Sequence, residues 1–420
     1  AGAATSTAPS ASSPERPKPT GGLLIDDAEI RSALEQTAAL RGLPVLRPVE
    51  AKRLGRQAVI DHIKAKVKRE IPPGVLQAQG ELLRGLELIP GDYDYVAGIY
   101  ALLEEQVAGF YDPEIPALVL LDDLSESGAE ETLAHELVHA LQDQHYDLET
   151  KLDYRPHDSD SVAAVQTLSE GDATHAMFDA AAGAVVVVSE EVFRMALVAS
   201  TALSQSGSTT PRVLQAALIA PYVDGFSLVS ALRQRGGWAA VDAMWRQPPA
   251  STEQVIHLDK YQAGEPPIHV PVPSLDALGP GWTVMDHDVL GEQGLRIALE
   301  QWASRATARR AAAGWGGDRY AVAGRALTPE AARTDIERVA AWLIRMDSSR
   351  DAAELGRVLD GAFGRGCKER PALGAITWLR RGTAVVIAIG PYVRSPDGTH
   401  LPAAPSCPTT RAWARAMLRR

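Results

Sequence analysis

The chain is short of several things, and each shortage removes a class of protein. Only 2 of its 420 residues are cysteine, too few for a disulfide-built scaffold or a four-cysteine metal site. Aromatic residues make up 5%. No uninterrupted apolar run reaches the ~18 residues that a membrane-spanning helix requires, and the closest approach, residues 180–188, is stopped by Glu190 and Glu191. Cations are outnumbered, 42 Lys and Arg against 53 Asp and Glu, for a formal net charge of −11. Phosphate contacts need clustered cations, so this balance argues against nucleic acid as a partner. No internal repeat is visible.

What is present suits a folded protein. With 45% hydrophobic and 23% charged residues over 420 positions, the chain can bury a full core and is expected to form two domains. Residues 1–22, rich in Ala, Ser, Thr and Pro, have nothing to bury. They are expected to be a disordered leader, common after an export signal. A secreted, cell-surface or periplasmic location is the corresponding expectation.

The most informative stretch is residues 127–139, S-G-A-E-E-T-L-A-H-E-L-V-H. Ser127 with Glu130 has the form of a capping box, and Leu133, Leu137, Ala140 and Leu141 recur at helical spacing. On such a helix His135 and His139 share a face, so both imidazoles reach one ion. Glu136 then stands about 100° round the axis, beside a water on that ion. This is the mechanical content of H-E-x-x-H: two Zn²⁺ ligands and a carboxylate general base.

Two histidines leave a catalytic zinc one protein ligand short. A second long helix, capped by Asp158, Ser159 or Asp160 and ended by Gly183, carries Glu170, the preferred third ligand. Gly171 inside this helix costs about 1 kcal/mol against Ala. Close packing against the first helix would account for it, and Thr174 could hydrogen-bond a ligand. His145 competes with Glu170 because it lies where H-E-x-x-H-x-x-G-x-x-H places its third histidine. Against it, Gln142 occupies the position of the turn-forming Gly, and Met177 lies in a helical pattern rather than a tight turn.

H-E-L-V-H at 135–139 followed by E-G-D-A-T at 170–174 resembles the gluzincin zinc metallopeptidases, the thermolysin-like group. The resemblance implies Zn²⁺ on His135, His139 and Glu170 with Glu136 as base. Thr174 departs from it, since thermolysin-type enzymes have Asp there, and the gap from His139 to Glu170 is longer than theirs. Residues 107–113, 134–148 and 248–261 are similar to secreted or surface bacterial and archaeal metallopeptidase-like proteins of poorly defined function. Together these imply an α+β protein: a mainly helical zincin-like domain with a small sheet at 23–265, a linker at 266–280, and a smaller α+β domain at 281–420. The expected function is hydrolysis of a peptide or protein substrate. The rivals are a zinc-containing surface binding or adhesion protein without turnover, and a zinc hydrolase of non-peptide amides.

Other elements follow from pattern. Helices are expected at 25–46, 61–69, 93–107, 193–245 (punctuated by Gly236-Gly237), 290–309 and 349–363. Strands are expected within 49–60 and at 117–121, 318–326, 339–346 and 383–389. Strand 117–121 either offers a free edge to substrate or lies inside the core. His257 and Tyr261, four residues apart, either stabilise a developing oxyanion or belong to a structural helix start. Lys64, Lys66, Lys68 and Arg69 form a solvated face, as do Arg411, Arg415 and Arg419. Cys367 and Cys407 are expected to pair, closing a loop of roughly 40 residues.

Overall fold

The computed structural model describes residues 27–419 apart from 73, 107–108, 122–125, 183–188, 205–209, 327–335, 371, 395–399 and 402–404. The expected leader and the helix-ending Gly183 lie outside the described residues. The first part of the chain runs α1 (Asp27–Arg41), β1 (Glu50–Leu54), α2 (Arg56–Glu70), α3 (Val75–Gly85), α4 (Tyr95–Gln106), β2 (Gly109–Asp112) and β3 (Ala117–Leu121). It continues with α5 (Glu126–Tyr146), α6 (Leu148–Leu152), α7 (Ser159–Ala182), α8 (Glu190–Ser204), α9 (Arg212–Arg246), α10 (Thr252–Ile256) and α11 (Leu258–Ala263). The remainder is β4 (Thr283–Asp288), α12 (Gly291–Leu299), α13 (Arg305–Ala312), β5 (Trp315–Ala326), β6 (Ile336–Met346), α14 (Ser349–Phe363), β7 (Cys367–Lys368), β8 (Ile376–Arg381), β9 (Ala384–Arg394), β10 (His400–Leu401) and α15 (Cys407–Met417). The chain is thus α+β, a helical region followed by a sheet-rich one.

Three strands in the order β1-β3-β2 back α5. β3 is parallel to β1 and antiparallel to β2, and all five of its residues are buried. Of the two readings of 117–121, the core strand is therefore correct, and the sheet's edges are β1 and β2. Leu118 and Leu120 of β3 pack with Leu137 and Leu141 of α5 and with Ile30 and Leu34 of α1. That cluster fixes which side of α5 faces inward, so the opposite side carries the histidines.

The second sheet is antiparallel, in the order β4-β5-β6-β9-β8-β7, with β10 on β9. One face is covered by α12, α13 and α14 and also by α3: Leu82 and Leu86 share a core with Leu295, Trp315, Trp342 and Ile387. The proline-rich segment 266–280 lies along this sheet, with Ile268 N–H donating to the Gly316 carbonyl at 2.6 Å and Val270 buried. The expected helix 290–309 is two helices, because Ser304 caps α13 by accepting from Thr307 N–H. Cys367 and Cys407 form the expected disulfide, tying β7 to the start of α15.

In the helical region α7 and α9 approach backbone to backbone. A Cβ on Gly171 would stand 2.2 Å from the Gly225 carbonyl oxygen, and one on Gly225 would stand 2.1 Å from the Thr167 carbonyl oxygen. Gly171 does mark a close approach, then, but to α9 rather than to α5. Arg41 is fully buried beside this crossing and is held by Asp172 at 2.5 Å and Asp242 at 2.8 Å. Among the described residues α9 is also the one helix long and apolar enough to cross a membrane. About 56% of its apolar window is buried inside the protein, as for a core helix.

The start of α7 is anchored from outside the helix. Asp288 of β4 accepts from Ser159 N–H at 3.0 Å, and Asp160 accepts from the Thr252 hydroxyl at 2.5 Å. Burial pushes the pKa of Asp160 up to about 8, against the partial relief of its Thr252 bonds. Its folded pKa lies above the unfolded one, so the unfolded chain releases the proton first as pH rises. Relative to Asp160→Asn, the wild type should lose stability between about pH 4 and pH 8 and level off above. Urea unfolding across that range measures the difference, and a pH-independent gap would contradict the assignment. Gly171→Ala should lose about 3 kcal/mol or fail to fold, since backbone must move. Gly361→Ala, with nothing within 4 Å of the added Cβ, should instead gain up to about 1 kcal/mol. Thermal unfolding of the two variants distinguishes packing from propensity.

Candidate metal centre

α5 presents His135, Glu136 and His139 on its outward side, and α7 brings Glu170 across to meet them. The two imidazole Nε2 atoms are 3.1 Å apart. The Glu170 carboxylate oxygen lies 3.2 Å from Nε2 of His135 and 3.6 Å from Nε2 of His139. Donor atoms around a tetrahedral ion with bonds of about 2.0 Å are separated by about 3.3 Å, so this triangle has the size of one face of such a site. A Glu136 carboxylate oxygen also lies within 4.8 Å of both ring nitrogens. The residues fit a divalent cation.

Second partners fix the ligands. Nδ1 of His139 donates to Gln142 Oε1 at 2.9 Å, which leaves its Nε2 lone pair facing the triad. Gln142 in turn donates to the Ser169 carbonyl at 3.0 Å and accepts from the Ser169 hydroxyl at 2.7 Å, locking α5 to α7. The supporting role expected for Thr174 is thus taken by Gln142 and Ser169, and Thr174 is buried one turn further along α7.

The charges of the site act on one another. Burial alone would lower the His139 pKa, but the hydrogen bond and charge of Glu170, with the charge of Glu136, raise it to about 9. Burial likewise acts to raise Glu170, yet hydrogen bonds from His135 and His139 hold it well below the usual carboxylate range. The charge of Glu170, then burial and Glu136, push the Tyr222 hydroxyl well above 10. Tyr222 sits on α9 with its ring 6.1 Å from that of His135.

These groups line an open cleft of about 790 Å³. Its other wall is the free edge of β2, from which Tyr111 N–H donates to a Glu136 carboxylate oxygen at 2.7 Å. The strand that flanks the site therefore also fixes the expected base.

Other sequence candidates are placed elsewhere. His145 is on α5 but donates from Nε2 to the Pro44 carbonyl at 2.8 Å, away from the triad. Of the two third-ligand candidates the structure brings Glu170, not His145, to the histidines. Met177 lies inside α7, as its helical pattern implied. His257 and Tyr261 do not line the cleft: His257 pairs with Glu292 at 2.9 Å, and the Tyr261 hydroxyl donates to the Gln247 carbonyl at 2.7 Å. They serve the helix-start structure that was the alternative reading. Tyr222 was missed, although Pro221 beside it breaks the propensity rule inside a helix. The ordinary reason to put up with such a break is a site. A second acidic group, Glu253, Glu265 and Asp347, is filled by the Lys260 ammonium at 2.6, 3.2 and 2.6 Å.

Residues 282–400 match the family model described as a domain of unknown function (DUF8575). The match runs from β4 to the start of β10 and includes none of the cleft residues. No curated protein and no solved structure matches the chain.

Purified protein should take up one divalent cation per chain at this centre. His139→Ala and Glu170→Ala should lose it on dialysis, with affinity falling by about 10²-fold or more. His145→Ala should retain it. Metal analysis after mild chelation and add-back reads the result, and release of metal by His145→Ala alone would move the third ligand.

Proposed function

We propose that this protein is a zinc-dependent peptidase of the H-E-x-x-H…E type, working on peptide or protein substrates outside the cytoplasm. The observation that carries the reading is the 3.1–3.6 Å triangle of His135, His139 and Glu170 in an open cleft, with Glu136 beside it. Zn²⁺ in this triad would acidify its water and polarise a substrate carbonyl.

The chain's own residues have distinct parts in the reaction. His135, His139 and Glu170 would hold the ion, with His139 oriented by Gln142 and Ser169. Glu136 accepts a proton from the attacking water and returns it to the leaving amine, so it acts as base and then acid. Its carboxylate is fixed for this by Tyr111 N–H. The Tyr222 hydroxyl lines the cleft beside Glu170 and would be the donor that turns to the oxyanion developing on the carbonyl. This replaces the part expected of His257 and Tyr261. The edge of β2, with the backbone groups of Gly109 and the carbonyl of Tyr111 beside the cleft, can pair with an extended substrate and hold its scissile bond over the triad. The disulfide between Cys367 and Cys407 is consistent with an oxidising compartment.

Glu136→Gln should keep metal content and thermal stability while lowering kcat by 10²-fold or more, since it removes the proton acceptor from a nearly isosteric side chain (a rough figure). Tyr222→Phe should lower kcat by roughly 10–10³-fold with a smaller effect on KM. Hydrolysis of an unstructured protein followed by mass spectrometry is the assay. Undiminished activity in Glu136→Gln would place the chemistry elsewhere.

A further inference from the structure

Two cavities meet at this site. The metal cleft shares Pro113 and Glu149 with a second cavity of about 650 Å³, which runs past the α5–α6 turn toward Tyr146 and Arg246. An extended chain lying over the triad can therefore continue in one direction, and Glu149 stands at the junction.

The charges of the cleft do not cancel. Lys66 and Arg69 are the cations that line it, and both face carboxylates on their own wall. Lys66 lies 3.4 Å from Asp112 and 4.0 Å from Glu70, and Arg69 lies 2.6 Å from Glu114 and 3.5 Å from Glu70. Glu136 and Glu170 face the metal position. What remains is the opposite wall, where Glu149 and Asp153 are exposed at the two ends of α6. Neither has a cation partner among the described residues, and Asp153 makes only a local bond from Tyr154 N–H at 3.0 Å. An unpaired carboxylate in a concave wall acts on a ligand charge more strongly than one on open surface, because low-dielectric walls focus the field.

Resting on the peptidase reading of the cleft, we propose that the site selects extended polypeptide with a Lys or Arg side chain on the α6 side of the bond to be cut. Glu149 and Asp153 are its specificity-determining residues. The preference is electrostatic, so it weakens as salt rises.

The test measures binding rather than turnover, on metal-loaded Glu136→Gln protein. Three dye-labelled unstructured peptides, identical except for Lys, Gln or Glu at the same three positions, are titrated by fluorescence anisotropy. Lys should bind tighter than Gln, and Gln tighter than Glu, with roughly tenfold or more between the extremes. Glu149→Gln with Asp153→Asn should collapse that gap. Glu35→Gln with Asp259→Asn, which removes two exposed acids outside the cleft, should leave it intact and so controls for overall charge. Equal binding of the three peptides, or a gap that survives the Glu149/Asp153 double variant, would overturn the proposal. If the ranking holds but the wild type cleaves no peptide, the peptidase reading fails and the recognition stands. Cleavage without charge preference has the opposite meaning.

Discussion

The constraint on which the site depends is the backbone contact between α7 and α9 at Gly171 and Gly225. A side chain on either glycine would overlap main-chain atoms of the other helix at little more than 2 Å. Keeping both positions bare lets the two helices approach more closely than ordinary side-chain packing permits. Glu170 is the neighbour of the first glycine, and Tyr222 is one turn before the second. The same contact therefore sets the depth at which the carboxylate and the phenol enter the cleft. Arg41 and Asp172, buried beside it, hold α1 to α7 through a charged pair that only an intact crossing keeps dry.

From this crossing the site is assembled by partners that each do two things. Gln142 orients His139 and ties α5 to α7; Tyr111 N–H ends a strand edge and fixes Glu136. The carboxylates so gathered create a field strong enough to raise the pKa of His139 despite its burial. A divalent ion would relieve that field, which is a physical reason for the residues to converge. The seven-stranded sheet takes part at a distance. Asp288 of β4 receives Ser159 at the start of α7, so the sheet-rich region helps fix the helix that carries Glu170.

Much of this was legible in the chain. Apolar spacing located α5, capping residues located α7, and α14 matches the expected 349–363 residue for residue. Short apolar runs located β3, β6 and the first half of β9. Elements whose apolar residues face a distant partner were not read: α3 buries Leu82 and Leu86 under a sheet more than two hundred residues later. β4 and β8 were missed for a related reason, since their polar residues find partners far along the chain, Asp288 at Ser159 and Arg380 at the Ser349 carbonyl. Strand 117–121 was recognised as a strand, but its place inside the sheet depends on β1 and β2, which local pattern does not pair.

The sequence by itself determined the local chemistry: two imidazoles one helical turn apart, a carboxylate between them, and a pair of cysteines with no other partner to choose. Those follow from spacing along one element, where geometry is a property of the backbone period. Tertiary structure decided everything that depends on two elements meeting. It chose Glu170 over His145, gave the supporting bonds to Gln142 and Ser169 rather than Thr174, put Tyr222 in the cleft, and sent His257 and Tyr261 elsewhere. How near Glu170 comes to Tyr222 is set by how closely α7 and α9 cross, and that is decided by two glycines lying more than fifty residues apart in the chain.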